Sequence, residues 1–333
     1  MTHEELKKIL AEASKVFILT DQNVAMYWLP ELEHGLGLVG ASEIVIKPGE
    51  SQKTLQTAQR IWKTLLKQGG DRHSILINFG GGVISDLGGF VASCYQRGIR
   101  FVNVPTTLLS MVDASIGGKN GVDFGGGKNQ IGTFAEPLEV MVSPVFLSTL
   151  PDRELLSGLA EMVKYGFIAD PSMLRITLDN YEQYILRAGR IKRAIVTDDF
   201  KEQGRRKILN FGHTLGHAFE AFFFGTPCPL THGEAVALGM GCALWLSVQQ
   251  CGLSEQVFYD YVPKLNYLLE KSDCQLKEVD MPSLLELLSF DKKKQEGRPR
   301  FVLLSDVGQP VCDCLVPDSM VIQAVSEVLK VIQ

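Results

Sequence analysis

No run of apolar residues in this chain is long enough to cross a bilayer: the longest, 235–248, has 14 residues and suits a buried helix. A basic excess is also missing. Lysine and arginine total 33 against 38 aspartates and glutamates, and the net charge of −5 excludes a broad nucleic-acid-binding surface. The paired cysteine spacing of a zinc ribbon is absent. The seven cysteines (Cys94, Cys228, Cys242, Cys251, Cys274, Cys312 and Cys314) are odd in number and scattered, with only Cys312 and Cys314 close together. That pattern predicts reduced thiols and a cytoplasmic protein. The amino terminus has no apolar run behind a basic cap, so no signal peptide is expected. Long linkers, repeats and low-complexity stretches are also lacking.

What is present is a globular composition, 45% hydrophobic and 21% charged, over 333 residues, which suits two domains rather than one core. Buried-strand patterns at 16–20, 42–47, 74–79 and 101–104 alternate with helical patterns at 5–14, 54–67 and 83–93. Strands separated by helices predict parallel pairing, and open parallel sheets bind ligands beyond the carboxyl ends of their strands. From about 151 helical patterns take over, at 152–167, 171–187, 199–224, 233–250, 254–270, 282–290 and 317–332. The boundary falls near Leu150–Pro151. This reading gives an α/β nucleotide-binding domain over 1–150 with a parallel-rich sheet, then an all-α metal- and substrate-binding domain over 151–333. The two are expected to pack directly around a cleft.

Three elements carry chemistry. Gly80, Gly81 and Gly82 follow a buried strand and open a helix, where backbone amides can approach a phosphate; a tight strand–helix turn explains them equally well. Asp21 and Asn23 end the first strand, as ribose partners or as simple turn residues. In the second element Lys119 and Lys128 sit beside glycines at chain reversals, which predicts a phosphate or carboxylate site. The third is the series Asp199, Glu202, Arg206, Asn210, His213, His217 and Glu220, at steps of 3 or 4. On one helix these form a single polar stripe. Gly212 and Gly216 cost a helix about 1 kcal/mol each relative to alanine, so their placement predicts a group packed against the backbone. A buried polar stripe needs partners, and a metal with an anionic substrate supplies them. His213, His217, His232 and Glu161 are the ligand candidates, since two imidazoles and a carboxylate make an open zinc-type site.

Several segments resemble one family closely. They are Gly-Gly-Gly-Val-Ile-Ser-Asp-Leu from Gly80, Val-Pro-Thr-Thr-Leu-Leu from Val104, Gly-Gly-Lys from Gly117 and Gly-Lys-Asn from Gly127. Gly-Leu-Ala-Glu-Met-Val-Lys-Tyr-Gly from Gly158, Leu-Asn-Phe-Gly-His-Thr-Leu-Gly-His-Ala from Leu209 and His-Gly-Glu-Ala-Val-Ala from His232 complete the set. Their order and spacing resemble the 3-dehydroquinate synthases from about Val16 to Gly308. The resemblance implies an NAD-dependent, phosphate-eliminating cyclase of the shikimate pathway with one divalent metal, zinc or cobalt. It implies Glu161, His213 and His232 as metal ligands. Asp113, Lys119, Asn129, Lys164, Lys192, Arg206, Asn210, His217 and Lys293 are implied to contact a phosphorylated keto acid, with Lys292 competing for the last place; Glu202 joins them from the polar stripe. Asp21, Asn23, Glu50, Lys53, Gly82, Asp86, Thr106, Thr107, Phe146 and Thr149 fall at NAD-contacting positions, with Lys119 and Lys128 beside them. Arg97 matches an arginine that reaches a neighbouring subunit's phosphate site, so a homodimer is implied.

The chain departs from the family in lacking the longer N-terminal strand pair, in Asn120 for the usual threonine, and in 123–126 for an Asn-His-Pro-Leu-like stretch. The last two lie beside cofactor and substrate loops and bear on affinity rather than reaction type. Two other enzymes share the domain plan. A sister sugar-phosphate cyclase would differ at the carboxylate-binding residues, yet Arg206, Asn210 and His217 are of the dehydroquinate type. A metal-dependent polyol dehydrogenase needs no lysine-rich phosphate site.

Overall fold

The computed structural model describes all residues but 1–2, 39, 126, 275, 277–278, 290–298 and 333. The chain forms two compact units, Met1–Leu150 and Pro151–Gln333. Among the described residues no helix is long and apolar enough to cross a membrane, and the seven cysteines are free thiols.

The first unit is built on four parallel strands, β1 (Val16–Asp21), β2 (Ser42–Ile46), β3 (Ile75–Gly80) and β4 (Arg100–Pro105), in the order β2-β1-β3-β4. Helices α1 (His3–Ala11), α2 (Gln22–Leu36), α3 (Leu55–Lys67) and α4 (Gly82–Cys94) intervene. β3 is buried along its whole length, as a central parallel strand must be. Phe17, Leu19, Ile61, Leu65, Leu76, Leu87 and Phe90 join sheet and helices in one core. Because β1 lies between β2 and β3, the strand order reverses there, and the β1 and β3 carboxyl ends flank a topological switch point.

The sequence reading did not include the antiparallel hairpin β5 (Lys119–Phe124) and β6 (Gly127–Phe134). β6 carries few β-branched residues, so pairing rather than propensity makes it a strand. Asn120 anchors the hairpin: its Nδ2 donates to the carbonyls of Gly118 and Ala135 at 3.0 and 2.9 Å. A β-carbon on Gly89 of α4 would sit 1.8 Å from Asn120 Oδ1, so that helix yields the space the larger side chain needs.

The second unit is helical, with α5 (Asp152–Ile168), α6 (Ile185–Asp198), α7 (His213–Phe223), α8 (His232–Cys251), α9 (Glu255–Leu269), α10 (Met281–Ser289) and α11 (Asp318–Val331). α8 is its buried axis, packed by α5, α7, α9 and α11. One hairpin, β7 (Phe301–Asp306) with β8 (Gln309–Cys314), adds to the expected helices and is tied to α8 by Leu304 N–H donating to Ser247 Oγ at 2.9 Å.

Two expected helices are corrected. The 171–187 segment is broken into 3-10 turns before α6, because Asn180 Oδ1 takes the Thr177 N–H at 2.9 Å and Asp170 takes that of Ser172. The 199–224 segment is not one helix either. α6 stops at Asp198, a 3-10 turn covers Arg205–Asn210, and α7 starts afresh at His213. Asp199 accepts from the backbone N–H groups of Gln203, Gly204 and Arg206, and Gly212 is left-handed at φ 77°. Side chain and glycine together end the regular repeat.

Candidate metal centre and cofactor site

Helices of the second unit meet at backbone distance, and glycine permits it. A β-carbon on Gly233 would stand 2.2 Å from the Ser157 carbonyl oxygen, and one on Gly239 would stand 2.0 Å from that of Gly212. One on Gly216 would lie 3.1 Å from Val236 Cα. The close neighbour predicted from Gly212 and Gly216 is therefore α8. These crossings bring the first residue of α7, His213, and the first residue of α8, His232, to Glu161 in the buried middle of α5.

Glu161 Oε1 lies 3.3 Å from Nε2 of His213 and 3.3 Å from Nε2 of His232. The ligand atoms of all three residues lie within 4.8 Å of one another. Zinc bonds of about 2.0–2.1 Å in tetrahedral array put neighbouring donors about 3.3–3.4 Å apart, so the spacing fits. Proton placement fits as well. His213 Nδ1 is 3.0 Å from the Phe211 carbonyl oxygen and so carries the hydrogen. Burial, with Lys164 nearby, pushes the His213 pKa down against the pull of Glu161, which favours the neutral ring. Its Nε2 then turns a lone pair toward a carboxylate oxygen, acceptor against acceptor. A cation between them resolves the conflict, and this donor set suits a divalent one.

Complete burial opposes ionisation of Glu161, yet the charge of Lys164, with the hydrogen bond of His232, holds its pKa well below the usual range. Lys164, fully buried one turn along α5, pairs with the second carboxylate oxygen. Burial also works against charge on His232, but hydrogen bonds to Glu161 and Glu220 bring its pKa up to about 10. Its surroundings therefore favour a proton or a metal ion on the ring. Glu220, to which the sequence reading gave no role beyond membership of the stripe, faces Nδ1 of His232 at 3.5 Å. Its place on the α7 face of His213, two turns on, was the available signal.

The stripe residues converge by turns instead of along one helix. His217 is exposed one turn after His213, with ring centroids 5.4 Å apart. Asn210 Nδ2 donates to Glu202 Oε1 at 2.7 Å. Arg206 is buried, with Nη1 donating to the Phe200 carbonyl at 2.6 Å, and Lys192 is buried on α6. Lys292 and Lys293 lie outside the described residues.

In the first unit, Asp21 ends β1 and accepts the N–H groups of Asn23 and Val24, so its carboxylate caps α2. Gly80, Gly81 and Gly82 join β3 to α4, whose N-terminus has no side-chain cap. A β-carbon on Gly81 would approach Thr107 Cγ2 to 2.9 Å, so the turn requires glycine there, and the uncapped helix N-terminus at the switch point fits a pyrophosphate. Thr106 continues from β4, its N–H donating to the Gly80 carbonyl at 3.0 Å. Phe146 packs edge-on against Trp28 and Phe79, and Thr149 Oγ1 accepts from Trp28 Nε1 at 2.8 Å.

Lys53 is buried among carboxylates, 2.6 Å from Glu50, 3.4 Å from Asp86 and 3.9 Å from Asp123, while Lys128 is 3.6 Å from Glu50. Burial would lower the Lys53 pKa, but Asp86 and Glu50 drive it up. Asp123, one of the departures, also accepts the Asn129 N–H at 2.7 Å, with Asn129 at φ 50°. Asp113 lies in a single π-helical turn at Ser110–Ala114, and Lys119 opens β5. Arg97 is exposed at φ 70°, between Gln96 at φ 52° and Gly98 at φ 114°.

Comparison with known proteins agrees with both halves. The description "3-dehydroquinate synthase N-terminal" matches residues 43–157 and "3-dehydroquinate synthase C-terminal" matches 158–294. A 3-dehydroquinate synthase from Parabacteroides distasonis is 41% identical over 310 residues, 88% of this chain and 85% of the relative. Among solved structures, a 2-deoxy-scyllo-inosose synthase complexed with carbaglucose-6-phosphate, NAD+ and Co2+ superposes with a TM-score of 0.85 at 26% identity, covering 98% of this chain and 94% of the other. A 2-epi-5-epi-valiolone synthase from Streptomyces hygroscopicus with NAD+ and Zn2+ bound gives 0.83 at 25%, covering 96% and 92%. With matched regions running from 43 to 294 and a curated relative at this identity, the chain belongs to the 3-dehydroquinate synthase family.

Proposed function

We propose that this chain converts 3-deoxy-D-arabino-heptulosonate 7-phosphate to 3-dehydroquinate and phosphate, a step of the shikimate pathway toward aromatic amino acids. The observation that carries the reading is the buried Glu161 carboxylate with Nε2 of His213 and Nε2 of His232 each 3.3 Å from its Oε1, in a chain of this family. The chain uses NAD and one divalent metal: when bound, the metal supplies Lewis acidity toward a substrate hydroxyl and NAD accepts and returns a hydride. Glu161, His213 and His232 hold the metal, and Lys164 keeps Glu161 charged. His217, exposed beside the triad, relays the proton of the reacting hydroxyl. Arg206 and Lys192 receive the carboxylate, the guanidinium by its fork and the ammonium as a point charge. Glu202 orients Asn210, which with Asp113, Lys119, Asn129 and Lys293 completes the substrate contacts.

The first unit binds NAD through Asp21, Asn23, Glu50, Lys53, Gly82, Asp86, Thr106, Thr107, Lys119, Lys128, Phe146 and Thr149. The second unit binds metal and substrate. The exposed, conformationally strained Arg97 supports a homodimer in which it serves the neighbouring site, and a cytoplasmic setting suits seven free thiols. The sister cyclases share the fold, but the 41% identical relative and the presence of Arg206, Asn210 and His217 favour the carboxylate-bearing substrate. The test follows phosphate release and NADH absorbance together with catalytic NAD. Many phosphates per NAD and no net NADH are expected from the heptulosonate phosphate. Stoichiometric NADH without phosphate would leave a polyol dehydrogenase, and turnover only of sugar phosphates lacking a carboxylate would leave a sister cyclase.

A further inference from the structure

Arg153, Ser157 and Glu161 stand at i, i+4 and i+8 on α5, and so share one face. Each meets a successive residue at the start of α8, in reverse order. Arg153 Nε and Nη2 donate to the two carboxylate oxygens of Glu234, both at 2.7 Å. Ser157 Oγ accepts the N–H of Gly233 at 2.9 Å. Glu161 Oε1 faces His232 Nε2 at 3.3 Å. Glu234 is buried, accepts the Thr231 N–H at 2.7 Å, and with Thr231 closes a capping box around the first turn of α8. Arg153 Nη2 also donates to the Pro229 carbonyl at 2.8 Å, so one guanidinium holds both the approach to α8 and its first turn.

We propose that Arg153 and Glu234 are a positioning pair for the metal centre: their fork sets the rotation of the first turn of α8, and with it the distance from His232 Nε2 to Glu161 Oε1. Neither side chain touches the metal ligands' donor atoms. A bidentate guanidinium–carboxylate pair fixes angle as well as distance, which a single hydrogen bond does not. The Ser157–Gly233 bond holds the crossing point, and the ion pair one turn away prevents pivoting about it. This inference rests on Glu161, His213 and His232 as the metal set.

The experiment uses the full-length chain stripped of metal. Affinity for Co2+ is measured by chelator competition, the Co2+ absorption spectrum is recorded, and melting of the metal-free protein is followed. Arg153→Met should weaken Co2+ binding about 10–100-fold, the usual effect of losing an outer support, and shift the Co2+ bands. Arg153→Lys, which keeps charge but not the fork, should weaken it less. Glu234→Gln should also weaken it, and the double variant should be no worse than the poorer single one. Unchanged affinity and spectrum in Arg153→Met, with only the melting temperature lowered, would make the pair a simple brace and overturn the proposal. If Arg153→Met does not fold, Arg153→Lys decides in the same way. His213→Ala separates the two readings: loss of Co2+ there with no change in the Arg153 variants overturns the positioning pair and leaves the ligand set intact.

Discussion

Glu220 Oε2 lies 3.5 Å from Nδ1 of His232, on the side of the ring away from Glu161. Carboxylate, imidazole and ligand position are thus in line, an arrangement that fixes the tautomer and raises the basicity of the donor nitrogen. Glu220→Gln should lower metal affinity about 10–100-fold while leaving NAD binding unchanged. Metal titration of the stripped variant measures this, and an unaltered constant would remove Glu220 from the centre.

The ligand set predicts one divalent ion per chain. Elemental analysis of the parent should show it, and His213→Ala or His232→Ala should lose most of it together with phosphate release. Full metal content in both variants would be incompatible with the assignment. So would full activity in verified metal-free enzyme.

Arg206→Ala should weaken heptulosonate phosphate binding by about 2–5 kcal/mol, the cost of removing one partner of a desolvated charge pair. Metal content and NAD affinity should survive. Lys192→Ala should act in the same direction. Normal KM in Arg206→Ala would show that the carboxylate binds elsewhere.

Asp123 gives a pH signature. Burial raises its pKa in spite of Lys53 and the Asn129 N–H. A carboxyl whose folded pKa is raised favours the protonated form, so its stabilising contribution is present below the ordinary aspartate pKa and is lost as pH rises through the raised value. Asp123→Asn removes that loss, while Glu50 remains 2.6 Å from Lys53. The variant should therefore gain melting temperature over the parent above this window and gain nothing below about pH 4. Melting curves across pH decide it: a gap independent of pH would mean that Asp123 is not the titrating group.

The four parallel strands were legible because each is a short apolar run closed by glycine, proline or turn residues. The histidines that gather at Glu161 were legible from residue type, with three of six crowded into the span 213–232. The path between them was not. The periodicity of 199–224 matches a helix, but periodicity does not register a left-handed Gly212 or an aspartate that caps three backbone amides. The stripe is therefore spread over a loop, a 3-10 turn and α7 instead of one helix. Arg153 and Glu234 left no local signal, since they meet across 81 residues of chain. Asn120 looked like a loop substitution, and only the hairpin pairing and Gly89 reveal it as a packing residue.

The glycine crossings divide the second unit into parts that can drift and parts that cannot. Around α8, one aliphatic side chain can replace another of similar volume for less than about 1.5 kcal/mol, because neighbours repack. At Gly233 and Gly239 the obstacle is main chain, with carbonyl oxygens 2.2 and 2.0 Å from any added carbon, and main chain has no rotamer to turn aside. A saturation scan of this chain should therefore find metal retention insensitive to most of the apolar lining and lost with alanine at these two positions. Tolerance would follow which atoms stand opposite rather than depth of burial.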